Sequence, residues 1–332
     1  MPRPNSTESL AARRCARLNG QEVIKTPLLV PSFSSKGFSE VAKIIETLKE
    51  KITDCALVSA YDSHYGFISR NIAFPAILFI DSGGYECSKD TELSDLGYAE
   101  HIPRDWSLDL YRQEISKWKL NVPTVLVSYD RPNDRVDIPS QVKRARAFFR
   151  GRKVITELLI KPETGEQRYV KIERVLKHIR DYRYFDILGF TEKELGNNLL
   201  RRMVNIAKIR RALTLARLST PIHIFGSLDT ISTPLYFIAG ADIFDGLTWL
   251  RFAFHNGYSV YVHDAGAAVH GPEVPDWDVK PLIWSANYYA LQRLQRNMWN
   301  FLNARDWKMF SPHEVLFESV YQSLISELEG GR

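Results

Sequence analysis

The stretch Ala76-Ile77-Leu78-Phe79-Ile80-Asp81-Ser82-Gly83-Gly84-Tyr85 sets the reading of the whole chain. Residues 76–80 are apolar without alternation, which predicts a strand buried on both faces. The run then stops on a carboxylate, a hydroxyl and two glycines. Gly83 and Gly84 let the backbone turn sharply and let a ligand approach the main chain. Tyr85 adds a flat aromatic face. An acid, exposed amides and a ring at the end of a buried strand suit a pocket floor for a planar molecule. The same letters also fit an ordinary strand-ending turn.

Outward from this stretch a rhythm appears. Strand patterns recur at 26–33, 55–60, 123–129, 154–160, 185–188, 221–225 and 242–244. Helical patterns fall at 39–51, 107–119, 139–150, 170–182, 194–217, 229–239 and 281–303. Ser39 and Ser107 are placed as N-caps, and Asp109 lies in the first turn after Ser107. Strand then helix, about eight times in roughly 280 residues, predicts an α/β chain folded as a closed (β/α)8 TIM barrel rather than an open doubly wound sheet. The expected organisation is a basic arm or short leading helix at 1–25, a catalytic barrel at 26–310 and a helical tail at 311–332. Residues 86–106 are polar and irregular, as a lid, binding loop or insertion would be. The working face of such a barrel lies at the carboxyl ends of its strands. Asp81, Asp130 and Asp245 close strands three, four and eight, and Gly189 and Gly226 close strands six and seven.

Composition narrows the class. The 332 residues are 45% hydrophobic and 25% charged, which fits a globular protein and excludes a disordered or fibrous one. No apolar run reaches membrane-spanning length. Arg3, Arg13, Arg14 and Arg17 lead the chain without the apolar core of a signal peptide, so a cytoplasmic location and no membrane partner are expected. Cys15, Cys55 and Cys87 are far apart, with neither disulfide nor metal-ligand spacing, so no metal is expected, and no phosphate-cradling glycine loop appears, so no cofactor is expected. The net charge of +5 is compatible with a polyanionic partner.

Carboxylates on strands three and eight could flank one substrate. Such a pair suits chemistry at a sugar carbon, one acid attacking as nucleophile and the other moving protons to and from the leaving group. Glycosidases use this logic, and so do enzymes that exchange a nucleobase.

The chain resembles the tRNA-guanine transglycosylase superfamily. Asp81-Ser82-Gly83-Gly84-Tyr85 is similar to the family's DSGG[FY] motif, and Ala241-Asp242-Ile243-Phe244-Asp245 to the segment that holds its nucleophilic aspartate. Arg251 follows at the family's spacing. Ser128-Tyr129-Asp130 resembles the strand-four segment whose aspartate recognises the base, and Ile224-Phe225-Gly226 the segment before the eighth unit. The likeness spans roughly residues 75–255. It implies a (β/α)8 fold and base exchange. By motif match, Asp245 attacks C1′ of a nucleoside and releases guanine, and Asp81 is the general acid/base. Tyr85 stacks on the base, Asp130 hydrogen-bonds its edge, and Ser82, Gly83, Gly84, Gly189, Gly226 and Arg251 complete the substrate site. The incoming base is a 7-deazaguanine.

The chain departs from the family at three places. The family's tRNA enzymes carry a cysteine-rich zinc site after the nucleophile, whereas this chain has no cysteine beyond Cys87. Their Gln-Gly-Gly stretch after strand five is replaced by Ile160-Lys161-Pro162-Glu163-Thr164-Gly165. The glutamine after DSGG[FY] is Glu86. These differences make the chain similar to the smaller DNA-guanine transglycosylase branch, so DNA is favoured over tRNA as nucleic-acid partner. Partner proteins and a homodimer are further expectations, since the family is often dimeric.

Other features have two readings each. The basic clusters at Lys143, Arg144, Arg146, Arg150, Arg152 and Lys153, and at Arg201, Arg202, Lys208, Arg210 and Arg211, fit a phosphate backbone or plain solvated helix faces. Phe252, Phe254, His255 and Tyr258 could stack on a flipped-out nucleotide or pack around Arg251. His223 is expected in the core. His255, His263 and His270 near Asp264 lack a known metal spacing. Trp277, Trp284, Trp299 and Trp307 are expected to pack on the barrel or in a subunit interface. The competing functions are a zinc-independent tRNA enzyme, a non-catalytic nucleic-acid-binding subunit on the same barrel, and a barrel glycoside hydrolase.

Overall fold

The computed structural model describes residues 10–88, 101–130 and 134–330. Residues 1–9 of the expected arm, 89–100 of the polar loop and 331–332 of the tail lie outside the described residues. Eight parallel strands form one ring: β1 (Leu28–Pro31), β2 (Cys55–Ser59), β3 (Ile77–Asp81), β4 (Thr124–Val127), β5 (Ile155–Ile160), β6 (Ile187–Thr191), β7 (Ile222–Phe225) and β8 (Ile243–Gly246). From β2 to β8 each strand pairs with the next. β8 returns to β1, with Asp245 opposite Val30. The ring closes between β1 and β2 at one bridge, Ser32 to Leu57, where the Phe33 amide donates to the Leu57 carbonyl at 2.9 Å. The fold is the expected (β/α)8 barrel.

The strands are apolar on both faces because both faces are covered. Leu78, Ile80, Leu126, Leu158, Ile160, Leu188 and Phe190 pack outward under the helices. Leu57, Phe79, Val125, Val127, Ile155, Ile187 and Ile243 point inward and fill the barrel. Each buried branched or aromatic side chain contributes roughly 1.5–3 kcal/mol.

The described part of the expected basic arm contains a hairpin. Cys15–Leu18 and Gln21–Lys25 form an antiparallel hairpin, turning at Asn19 and Gly20, both with positive φ (52° and 82°). This Asn-Gly turn matches the twist of the strands it joins. Ala16 and Ile24 enter the interior cluster and plug the barrel at the amino ends of its strands. Asp242 anchors the chain leading into the hairpin. It accepts from Arg14 Nη1 and from the Ile222 amide, each at 2.8 Å, and pairs with the buried Arg210 guanidinium.

Several boundaries move. Ser107 caps Leu108–Lys117 as expected, accepting from the Leu110 amide at 3.2 Å. Ser39 caps nothing; Glu40 holds the cap position of Val41–Leu48 without a side-chain bond. Strand six runs through Gly189 to Thr191 instead of closing on the glycine. After β8 the chain makes a short hairpin, Ala253–His255 with Tyr258–Val260, and the helix Val262–His270. Only then does Asp276–Ala304 pack on β1 and Val41–Leu48 as the eighth barrel helix. The helix Glu314–Gly330 lies on Leu199–Leu215 and Ser232–Ile238. Among the described residues no helix is long and apolar enough to cross a membrane.

Candidate active site

A cavity of about 210 Å³ opens at the carboxyl ends of the strands. Its wall includes Asp81, Gly84, Tyr85, Asp130, Gly226, Asp245 and Arg251 from the sequence expectation, joined by Ser32, Glu86, Arg135, Lys161, Thr191, Lys193 and Glu194. Three expected lining residues stand behind the wall. The Ser82 hydroxyl accepts from the Asp130 amide at 3.0 Å, and its carbonyl accepts from Trp106 Nε1 at 2.7 Å. Gly83 has φ +90°, and a Cβ there would sit 2.6 Å from Tyr61 Cβ. These two residues shape the turn that presents Asp81 and Tyr85. Gly189 lies inside β6 against Phe225 and Glu157.

The carboxylates of β3 and β8 have different surroundings. Asp81 accepts from the Gly83 amide at 3.1 Å. Burial, and then the nearby charges of Glu86 and Asp245, outweigh the backbone amides and push its carboxyl up to about 7. An acid poised there can give and take a proton near neutral pH. Asp245 accepts two hydrogen bonds and has an imidazole beside it instead. Ser32 Oγ donates to Oδ2 at 2.7 Å, the Gly226 amide to Oδ1 at 3.3 Å, and His223 Nε2 lies 3.2 Å from Oδ1. Ser32 also accepts from the Gly246 amide at 3.2 Å, which fixes its hydroxyl. Donors on both oxygens fix the direction of the carboxylate.

Asp130 stands in a buried charge network. Arg135 Nη1 donates to Oδ1 at 2.6 Å, and Lys161 Nζ lies 3.3 Å from Oδ2. Lys161 also reaches Glu194 at 2.7 Å and Thr191 Oγ1 at 2.9 Å. Burial opposes ionisation of Asp130, but Lys161 and Arg135 more than offset it and hold its carboxyl below the usual range. It is therefore a fixed acceptor facing the cavity. Lys161 comes from the stretch where the resembled family has Gln-Gly-Gly.

Tyr85 is held on two sides. Its hydroxyl accepts from Arg251 Nη2 at 2.8 Å, and the Lys36 ammonium lies 4.4 Å from its ring centre. Glu86 accepts from Ser34 Oγ at 2.5 Å and Ser59 Oγ at 2.9 Å, so its carboxylate is built in. Burial, then Glu86, pushes the neighbouring Asp62 well above the usual carboxylate range.

The remaining candidates lie away from the cavity. Arg144 pairs with Asp134 at 3.1 Å, Arg146 covers Tyr184 at 3.7 Å, and Arg210 is buried on Asp242. Tyr258 packs on His313 with ring centres 4.6 Å apart, and the Phe254 amide donates to Asn287. Among the described residues no group of three His, Cys, Asp or Glu is placed to hold a metal ion. Trp284 and Trp307 pack as expected, but Trp277 is 77% exposed and does not pack on the barrel.

His223 is the neighbour of Asp245 that the sequence concealed. It is fully buried, as a core residue would be, yet its ring touches Asp245. A single histidine in an apolar strand gives no sign of which way its second nitrogen points. Compared with known protein families and with curated proteins, the chain matches none.

Proposed function

We propose that this chain is a base-exchanging glycosyltransferase acting on nucleic acid, with DNA favoured over tRNA, that replaces guanine with a 7-deazaguanine. The observation that carries the reading is the pair Asp81 and Asp245 in one cavity, one poised near neutrality and the other held by Ser32 and the Gly226 amide. A carboxylate oxygen of Asp245 bonds to C1′ as the C1′–N9 bond breaks, its electron pair leaving on guanine, which takes the Asp81 proton. The incoming base then gives its N9 proton to Asp81 and attacks C1′, and the bond to Asp245 breaks. Asp130 accepts hydrogen bonds from the base edge, and Tyr85 offers its ring. The cavity of about 210 Å³ suits a single base better than a glycan groove. The preference for DNA rests on the absence of cysteines after Cys87 in the sequence.

The test is exchange of radiolabelled guanine into duplex DNA, single-stranded DNA and tRNA in parallel, with Asp245→Ala as control. Label entering DNA, and lost in the variant, is the expected result. Label entering tRNA alone transfers the activity to tRNA. No label in any of the three, with or without added partner proteins, overturns base exchange.

A further inference from the structure

Beneath the cavity floor, Glu157 of β5 and His223 of β7 face each other inside the barrel, both fully buried. Glu157 Oε1 lies 2.7 Å from His223 Nδ1, and the other ring nitrogen lies 3.2 Å from Asp245 Oδ1. The ring is clamped between aromatic neighbours, stacked on Phe225 at 4.0 Å and edge-on to Phe79 at 5.8 Å. The strand between them makes room. A Cβ at Gly189 would fall 2.7 Å from Phe225 Cε2 and 2.8 Å from Glu157 Oε1, so a side chain at that position would displace both the carboxylate and the clamp. An ionisable pair deep in an apolar barrel costs stability unless it is well matched. Here two acids flank one imidazole in a line that ends at the cavity.

We propose that Glu157 and His223 are a buried positioning pair: the imidazolium, held by Glu157, keeps the Asp245 carboxylate aimed into the cavity from below. The role rests on Asp245 as the attacking carboxylate. His223 touches neither substrate nor reacting carbon, and acts through Asp245. Burial disfavours the imidazolium, but Glu157 first and Asp245 next outweigh it and raise the ring to about 9. The charged groups facing the ring are these two carboxylates, while Phe79 and Phe225 close its faces. The pair places a matched positive group behind a carboxylate at the end of an apolar strand. Gly189, which the motif comparison places in the substrate site, serves instead to admit this pair.

The decisive measurement reads the ring itself. The full chain is labelled with 15N-imidazole histidine, the His223 signals are assigned with His223→Gln, and the protein is titrated from pH 5.5 to 9.5. The expected result is an imidazolium protonated on both nitrogens at pH 7. Glu157→Gln and Asp245→Asn should each lower its titration by about one unit or more, as removal of a close opposite charge does. A neutral His223 at pH 7, or a titration indifferent to Asp245→Asn, overturns the proposal. Because this readout needs no turnover, it stands or falls separately from base exchange. Where exchange is measurable, Glu157→Gln should lower kcat about tenfold or more with KM little changed, and bring its loss on the alkaline side to lower pH. An unchanged kcat and pH profile also overturns it.

Discussion

A Cβ added at Gly84 would lie 2.5 Å from Asp130 Oδ2, so the turn after β3 and the acid after β4 are fitted to each other at the cavity wall. Asp130 also contacts Arg135 and Lys161, which leaves its carboxylate no easy retreat. Gly84→Ala is therefore expected to move Asp130 out of line with the base. Loss of one charge-assisted hydrogen bond costs about 1.5–3 kcal/mol, or roughly 10–150-fold in affinity. Calorimetric titration with guanine and a 7-deazaguanine measures this. Undiminished affinity would separate Asp130 from base recognition.

Asp81 gives a pH signature. Its carboxyl is pushed up to about 7 from an ordinary 3.8. Between those values the folded protein keeps a proton that the unfolded chain has released. Stability from this group is complete below the unfolded value, falls as pH rises and is lost above about 7. Asp81→Asn removes the dependence. The variant should gain on the native protein between pH 4 and 7 and then hold a constant lead of about 1–3 kcal/mol, allowing for water at the cavity mouth. Urea midpoints of both proteins at pH 5 and pH 8 test it; equal differences at the two pH values would contradict the raised carboxyl. In exchange assays the limb near pH 7 should vanish in the variant.

The sequence made the barrel legible because a doubly buried parallel strand reads as a mostly apolar run, and several runs here end on Gly or an acid. It made Asp81, Asp130 and Asp245 legible as acids at one end of the ring, and the structure brings them to one cavity. Contacts between strands distant in sequence were not legible. Ser32, Glu157 and His223 each look like ordinary strand or loop letters, and only the barrel's closure places Ser32 and His223 at Asp245 and Glu157 behind His223. The hairpin at 15–25 did carry a signal, Asn19-Gly20 between short runs of mixed polarity. The arginines there drew the reading toward an arm, and one of them, Arg14, serves the fold through Asp242.

Lys161 bridges two acids, Asp130 at 3.3 Å and Glu194 at 2.7 Å. Lys161→Met leaves those carboxylates facing each other, with Arg135 still at 2.6 Å from the first and 3.9 Å from the second. The remaining guanidinium sets the cost at the lower end for a broken buried pair, about 3 kcal/mol. Adding Glu194→Gln removes one of the uncompensated charges. The double variant should recover about 1–2 kcal/mol relative to the single one. Chemical denaturation of the native protein, both single variants and the double completes the cycle, and strict additivity would mean that Lys161 does not bridge them.

Asp242 ties the chain at Arg14 to the barrel's closing strand. Its two oxygens are divided among three donors, Arg14 and the Ile222 amide at 2.8 Å and the fully buried Arg210. Arg210 also donates to the Gly240 carbonyl at 2.9 Å and the Thr220 carbonyl at 3.0 Å, so it stays in place when its acid is removed. Asp242→Ala therefore leaves a buried cation without its counter-charge and should cost about 3–5 kcal/mol. Arg14→Ala removes the less buried partner and should cost less, about 1–2 kcal/mol. The difference has a local consequence. With Arg14 gone, amides of the Cys15–Lys25 hairpin should exchange with solvent faster than those of β8, because the hairpin loses its tether while Asp242 keeps Arg210. Hydrogen exchange resolved by segment tests this ordering, and equal acceleration of hairpin and β8 would show that Arg14 supports the barrel as a whole.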